Sequence, residues 1–159
     1  MTQDYLGFMW FGTNNGLVKY DGYKMTIYHP DELDSKSIAN SDMSWIFEDR
    51  TRNLWIAHTN GISLYNRTSD NFKNYLVKPE HERPTTIYHI LQDRKGKIWL
   101  GTEDDGVLKL VSNPERFESG HNIIEKQYIH DPQNPRSIPS NRILKTYEDK
   151  SGTLWFTTN

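Results

Sequence analysis

One phrase recurs four times along the 159 residues and restricts what the chain can fold into. It reads Asp93-Arg-Lys-Gly-Lys-Ile-Trp99-Leu-Gly-Thr102 in its third copy and Asp4-Tyr-Leu-Gly-Phe-Met-Trp10-Phe-Gly-Thr13 in its first. Asp49-Arg-Thr-Arg-Asn-Leu-Trp55-Ile-Ala-His58 is a looser copy, and Asp149-Lys-Ser-Gly-Thr-Leu-Trp155-Phe-Thr-Thr158 is the fourth. In every copy Asp stands six residues before Trp. The tryptophans at 10, 55, 99 and 155 are 45, 44 and 56 residues apart. A period near 45 residues marks a repeat architecture in which each copy is one supersecondary unit.

The residues of the unit predict its local structure. Asp-x-x-Gly is turn chemistry, because the carboxylate accepts backbone N–H groups and Gly takes a positive φ. Strand-like runs flank the turn, as in Ile87-Tyr-His-Ile90 and Ile98-Trp99-Leu100, and the pair reads as a β-hairpin. A third strand follows in Gly16–Tyr20, Gly61–Tyr65 and Gly106–Leu110, and a fourth around Lys24–Tyr28, Phe72–Leu76 and Ile124–Ile129. Four short antiparallel strands in some 45 residues make one blade of a β-propeller. The expected fold is therefore all-β, with about three to three and a half four-stranded blades in an incomplete propeller.

Taken in order, the expected blades are 1–28 without its first strand, 43–76, 86–130, and an incomplete 142–159. The turn at Asp4 leaves residues 1–3 before it, so the first inner strand is expected to be absent and the strand count to be thirteen. Pro79 to Pro84 reads as a charged linker, and Val111 to Asn122 as an extended connection inside the third blade. Such a set does not close a ring by itself. It is expected to be a piece of a longer chain, or to pair with a second copy as a homodimer. Arg52 replaces the turn Gly in the second copy, which predicts a shifted hairpin with Asn53 at positive φ. Ala57-His58 stands where the first and third copies have Gly-Thr, and Thr157 replaces that Gly in the fourth; either drift or a tailored binding face accounts for these departures.

Composition narrows the partners. Aromatic residues reach 13%, enough to fill the spaces between blades despite few aliphatic residues. Nineteen basic and 21 acidic residues are scattered along the chain, leaving no electrostatic footprint for nucleic acid or an anionic membrane. Without cysteine there is no disulfide or thiolate metal site. The first residues lack the basic and apolar regions of a signal peptide, and no apolar run approaches the roughly 18 residues of a membrane span.

No catalytic signature is found. The six histidines show no metal-ligand spacing, and His81-Glu82 lacks the second His of a zinc-protease helix. Glu103-Asp104-Asp105-Gly106 is acidic but lacks the alternating ligands of a calcium loop. No Gly-x-Ser-x-Gly elbow or phosphate-binding Gly loop occurs. No cofactor or metal is expected.

The repeated phrase, followed by Gly16-Leu-Val-Lys-Tyr-Asp-Gly-Tyr23, resembles the two-component regulator propeller repeat. The linkers add to the resemblance: Tyr128-Ile-His-Asp-Pro-Gln-Asn-Pro-Arg-Ser-Ile138 echoes Tyr28-His-Pro-Asp-Glu-Leu-Asp-Ser-Lys-Ser-Ile38. In that family such repeats form the periplasmic sensor region of hybrid two-component histidine kinases, typical of Bacteroidetes and often governing polysaccharide use. The resemblance implies a non-catalytic, periplasmic, ligand-sensing propeller that signals to a kinase in the remainder of a longer chain. Alternative expectations are a propeller lyase similar to streptogramin B lyase and a protein–protein scaffold.

If the strand before each Asp is innermost, one face gathers the loops after each Trp and the connections between blades. That face would hold Asn14, Asn15, His58, Thr59, Asn60, Glu103, Asp104 and Asp105. Asn14, Asn15, His58, Asn60, Glu103, Asp104 and Asp105 are the candidate ligand-binding residues, because amides and carboxylates near aromatics suit a small-molecule or oligosaccharide ligand. The same residue types are also what tight turns require. The four repeated Asp and Trp pairs read as structural. Trp45 falls outside the repeat on an inner strand, as core or as channel lining.

Overall fold

A computed structural model describes residues 1–59, 61–77 and 85–158. The first sheet holds β1 (Thr2–Gln3), β2 (Met9–Thr13), β3 (Gly16–Tyr20) and β4 (Met25–Tyr28). The second holds β5 (Met43–Glu48), β6 (Leu54–His58), β7 (Gly61–Asn66) and β8 (Asn71–Leu76). The third holds β9 (Ile87–Gln92), β10 (Ile98–Thr102), β11 (Val107–Leu110) and β12 (Ile124–Tyr128). The pair β13 (Ile143–Glu148) and β14 (Leu154–Thr158) follows. All neighbours are antiparallel, and β5, β9 and β13 pack side by side as the inner strands of successive blades. This is β-propeller architecture.

Two sequence expectations are corrected. The inner strand expected to be missing before Asp4 is present in short form, with Thr2 opposite Trp10 and Gln3 opposite Met9. The second hairpin is not shifted. Arg52 itself takes the positive φ, at 71°. Asp49 N–H donates to the Asn53 carbonyl at 2.9 Å and Arg52 N–H to the Asp49 carbonyl at 3.0 Å, the same pattern as in the other copies. The turn is held so firmly by the Asp49 carboxylate that Arg52 accepts a left-handed conformation costing about 1–2 kcal/mol.

The carboxylate acts as a clasp. Asp4 Oδ1 accepts Leu6 N–H and Phe8 N–H at 3.1 and 3.0 Å, while Oδ2 accepts the Trp10 indole N–H at 2.9 Å. Asp49, Asp93 and Asp149 hold Trp55, Trp99 and Trp155 in the same way, at 2.9, 2.9 and 2.8 Å. One side chain thus closes the turn and fixes the ring that packs on the next blade. Burial acts to raise the Asp4 pKa, but the Trp10 and Arg67 bonds outweigh it and hold the carboxyl below its ordinary value.

The fixed Trp10, Trp55 and Trp99 rings pack toward the following sheet, whereas Trp155 is exposed. Trp10, Leu17, Ile46, Leu54 and Ile56 share the first core cluster, and Trp55, Ala57, Ile90, Leu100 and Leu108 share the second. Strand β6 has cores on both of its faces, so all five of its residues are buried and its sequence does not alternate. Gly101 allows close approach of blades: a Cβ there would lie 2.9 Å from Ile143 Cγ2. A second repeated latch joins neighbouring turns, with Tyr5, Arg50 and Arg94 N–H donating to the side chains of Glu48, Gln92 and Glu148 at 3.0, 2.9 and 2.8 Å.

The outer strand β8 is not left as an open edge. Phe72 N–H donates to the Lys36 carbonyl at 2.8 Å, Asn74 N–H to Ser119 Oγ at 2.9 Å, and Leu76 N–H to the His121 carbonyl at 3.2 Å. The linker before the second blade and the extended connection in the third, which reaches back, therefore share in satisfying the edge of the second.

Candidate functional site

The inner strands break the rule of alternation at the same place. Pairing slips by one residue between Met43 and Trp45, between Ile87 and His89, and between Ile143 and Lys145. Ser44, Tyr88 and Leu144 are therefore the extra residues of three β-bulges. A bulge re-aims side chains, and here two consecutive residues in each strand leave the core. Ser44 and Trp45 are exposed, Leu144 and Lys145 are exposed, and Tyr88 and His89 are half-buried. These pairs lie at the start of three adjacent inner strands, on the side where a closed propeller has its channel mouth.

Trp45 is 36% exposed and packs against His89, ring centroids 4.4 Å apart. His89 Nδ1 lies 2.6 Å from Thr146 Oγ1 on the next inner strand. Tyr88 O–H donates to Glu103 Oε1 at 2.8 Å, and the Arg142 guanidinium donates to the Tyr88 hydroxyl oxygen at 3.3 Å. The arrangement combines an aromatic platform with a carboxylate, a phenol, an imidazole and two cations. It can stack an apolar ring face and exchange hydrogen bonds with hydroxyl groups.

The candidate residues named from sequence fall in different surroundings. Asn14 and Asn15 are exposed in the loop between β2 and β3, at the mouth end of the first blade. Glu103 joins Tyr88 and Arg142, and Asp104 beside it is exposed. His58 is 2% exposed, with Nδ1 2.8 Å from the Thr59 carbonyl and Nε2 3.0 Å from Ser63 Oγ. Asp105 is 4% exposed, and its N–H donates to Thr102 Oγ1 at 2.9 Å. Asn60, the linker Pro79–Pro84 and the His81-Glu82 pair lie outside the described residues. Trp45 stands at the channel, but Tyr88, His89, Arg142 and Lys145 were not among the candidates. Their signal was the spacing: Met43 to Ile46, Ile87 to Ile90 and Ile143 to Thr146 put buried residues three apart, which a regular strand does not allow.

The histidines predict a pH response. Burial lowers the His58 pKa from its ordinary 6.5, partly opposed by the bond to the Thr59 carbonyl. Burial, and after it the Lys145 charge, lowers that of His89. Both rings bind protons more readily in the unfolded chain, so stability is full above 6.5 and declines as pH falls below it. Denaturant titrations at a series of pH values check this. A flat profile between about pH 7 and pH 5 contradicts it.

A 630 Å³ groove lies elsewhere, on the outer rim between the Lys36 linker, the turn at Arg67 and the Glu115–Ser119 segment. Its polar groups serve the fold: Asn53 Nδ2 donates to Asp49 at 3.0 Å, and Arg67 bridges Asp4 and Glu48 at 2.6 and 3.1 Å. Among the described residues, no three His, Asp or Glu side chains gather around a position for a metal ion.

Residues 81–104 and 137–159 match the family described as two component regulator propeller. No curated protein sequence matches the chain. Among solved structures, the chain resembles the extracellular domain of BT4673 from B. thetaiotaomicron, described as a hybrid two component system. That match has 24% identity and a TM-score of 0.80 over 98% of this chain and 21% of the other. The extracellular domain of BT3049 from the same organism, also described as a hybrid two component system, matches at 24% identity and TM-score 0.77, over 98% of this chain and 21% of the other. PorZ, a surface component of the type-IX secretion system of Porphyromonas gingivalis, matches at 16% identity and TM-score 0.66, over 98% and 24%. At these identities the likeness shows the fold. The chain spans about a fifth to a quarter of the length of these structures.

Proposed function

We propose that the chain is made of two component regulator propeller repeats, belongs to the periplasmic sensor region of a hybrid two-component system and binds a carbohydrate at the channel mouth. The role is non-catalytic: occupancy of the mouth biases the geometry of the propeller, or of a homodimer of the parent, and a kinase elsewhere in the longer chain reads the change. The observation that carries this reading is the set of three aligned bulges, which place Trp45, Tyr88 and His89 at one opening with Glu103 and Arg142 beside them. The extracellular location of the BT4673 and BT3049 domains supports the compartment.

Sugars present hydroxyl groups on their edges and C–H groups on their faces, so a site needs hydrogen-bonding groups beside an aromatic plate. Trp45 supplies the plate. Titration calorimetry of the chain with a panel of plant and host oligosaccharides tests the reading. Trp45→Ala is expected to weaken binding about tenfold while leaving the melting temperature nearly unchanged, because the ring is partly solvated. Equal affinity of the variant and the parent would count against the mouth as the site.

A further inference from the structure

The chemistry of the mouth is uneven, and the unevenness points to a ligand class. Acidic groups stand on the third blade, where Glu103 accepts the Tyr88 hydroxyl and Asp104 is exposed. Cationic groups stand on the fourth, where Arg142 immediately precedes β13 and Lys145 lies within it, both exposed. Neither cation makes an ion pair with a described residue, whereas Arg67, Lys19 and Lys109 all do. Arg142 lies with its guanidinium carbon 5.7 Å from the Tyr88 ring centroid, so the Tyr88 side chain separates it from the carboxylate it would otherwise meet. Lys145 occupies the bulge position equivalent to Trp45 and His89, one blade further around the opening.

We infer that the mouth selects an anionic sugar, one bearing a carboxylate or sulfate, over a neutral sugar of the same size; this rests on the carbohydrate reading above. The anion sits against Lys145 and Arg142. Hydroxyl groups of the same or the adjoining residue donate to Glu103, and the sugar face lies on Trp45. A neutral sugar brings no counter-charge to either cation, whereas an anion adds charge-assisted bonds to groups that form no ion pair with a described residue. His89 fits the same scheme: its ring is held neutral by burial and by Lys145, so it adds no third charge to the opening.

The test is calorimetric titration of the chain with three matched oligosaccharide sets, neutral, uronate-containing and sulfated, at low and moderate salt. The expected result is at least about tenfold tighter binding of one anionic set, weakening as salt rises. Lys145→Gln and Arg142→Gln are expected to bring the anionic affinity to the neutral level. Lys36→Gln, an exposed cation on the outer rim, is expected to leave it unchanged. Preference for the uronate set identifies a carboxylate and preference for the sulfated set a sulfate ester; both support the inference. Neutral and anionic sugars binding alike, with Lys145→Gln silent, overturns it and leaves the carbohydrate reading standing. Binding by none of the three sets overturns both.

Discussion

Asp49→Ala is expected to lower the unfolding free energy by about 4 kcal/mol. The carboxylate is 5% exposed and accepts five bonds: from Thr51 N–H, Thr51 Oγ1, Asn53 N–H, Asn53 Nδ2 and the Trp55 indole, at 2.8, 2.7, 3.0, 3.0 and 2.9 Å. Alanine removes the charged acceptor and leaves a buried indole N–H without a partner. It also frees the turn that forces Arg52 to positive φ. Trp55→Phe isolates the indole bond, since it keeps most of the ring between the second and third blades. Asp149→Ala is the internal comparison. Its clasp is the same, but Trp155 is 57% exposed, so a far smaller loss is expected. Chemical denaturation of the three variants reads the differences. Equal losses at 49 and 149 would mean that burial of the clasp contributes nothing.

Gly106→Ala is expected to cost about 2–5 kcal/mol. Gly106 has φ +69°, and a Cβ there would stand 2.0 Å from the Tyr128 carbonyl oxygen and 3.0 Å from Ile138 Cδ1. The obstacle is backbone, which a rotamer change does not relieve. Movement of the Tyr128 carbonyl would part β11 from β12, whose register pairs Val107 with Tyr128. Gly22 provides the control: its φ is +97°, but nothing lies within 4 Å of the added Cβ, so Gly22→Ala carries the conformational term alone. Similar losses at the two sites would contradict the clash.

Much of this was legible in the residues. Asp, Gly and Trp at fixed spacing gave the hairpins and the blade period, because turn chemistry and strand alternation are local properties. The clasp between Asp and Trp was less legible: a spacing of six says nothing of an indole reaching back over the turn until the hairpin register is known. The short inner strand at Thr2–Gln3 was missed because two residues carry no period. The unshifted second hairpin was missed because the Asp49 bonds outweigh the preference of Arg52, a tertiary balance that residue propensity does not contain. At the mouth, sequence reasoning reached Glu103, Asp104, Asn14 and Asn15 by assuming that loops carry binding. Trp45, His89 and Lys145 sit instead on inner strands, turned out of the core by bulges; Trp45 was read as core or channel lining, and for His89 and Lys145 the three-residue spacing of their buried neighbours was the sign.

In the proposed function, ligand recognition occurs at Trp45 while the other four tryptophans are held in Asp clasps. The indole N–H spectrum of the isotope-labelled chain, followed during oligosaccharide titration, tests it directly. The chain has five such signals, and Trp45→Phe assigns the one that matters. The expected result is a saturable shift of the Trp45 signal, with Trp10, Trp55 and Trp99 unmoved in their bonds to Asp4, Asp49 and Asp93. Shifts confined to the clasped tryptophans, with Trp45 silent, would contradict it.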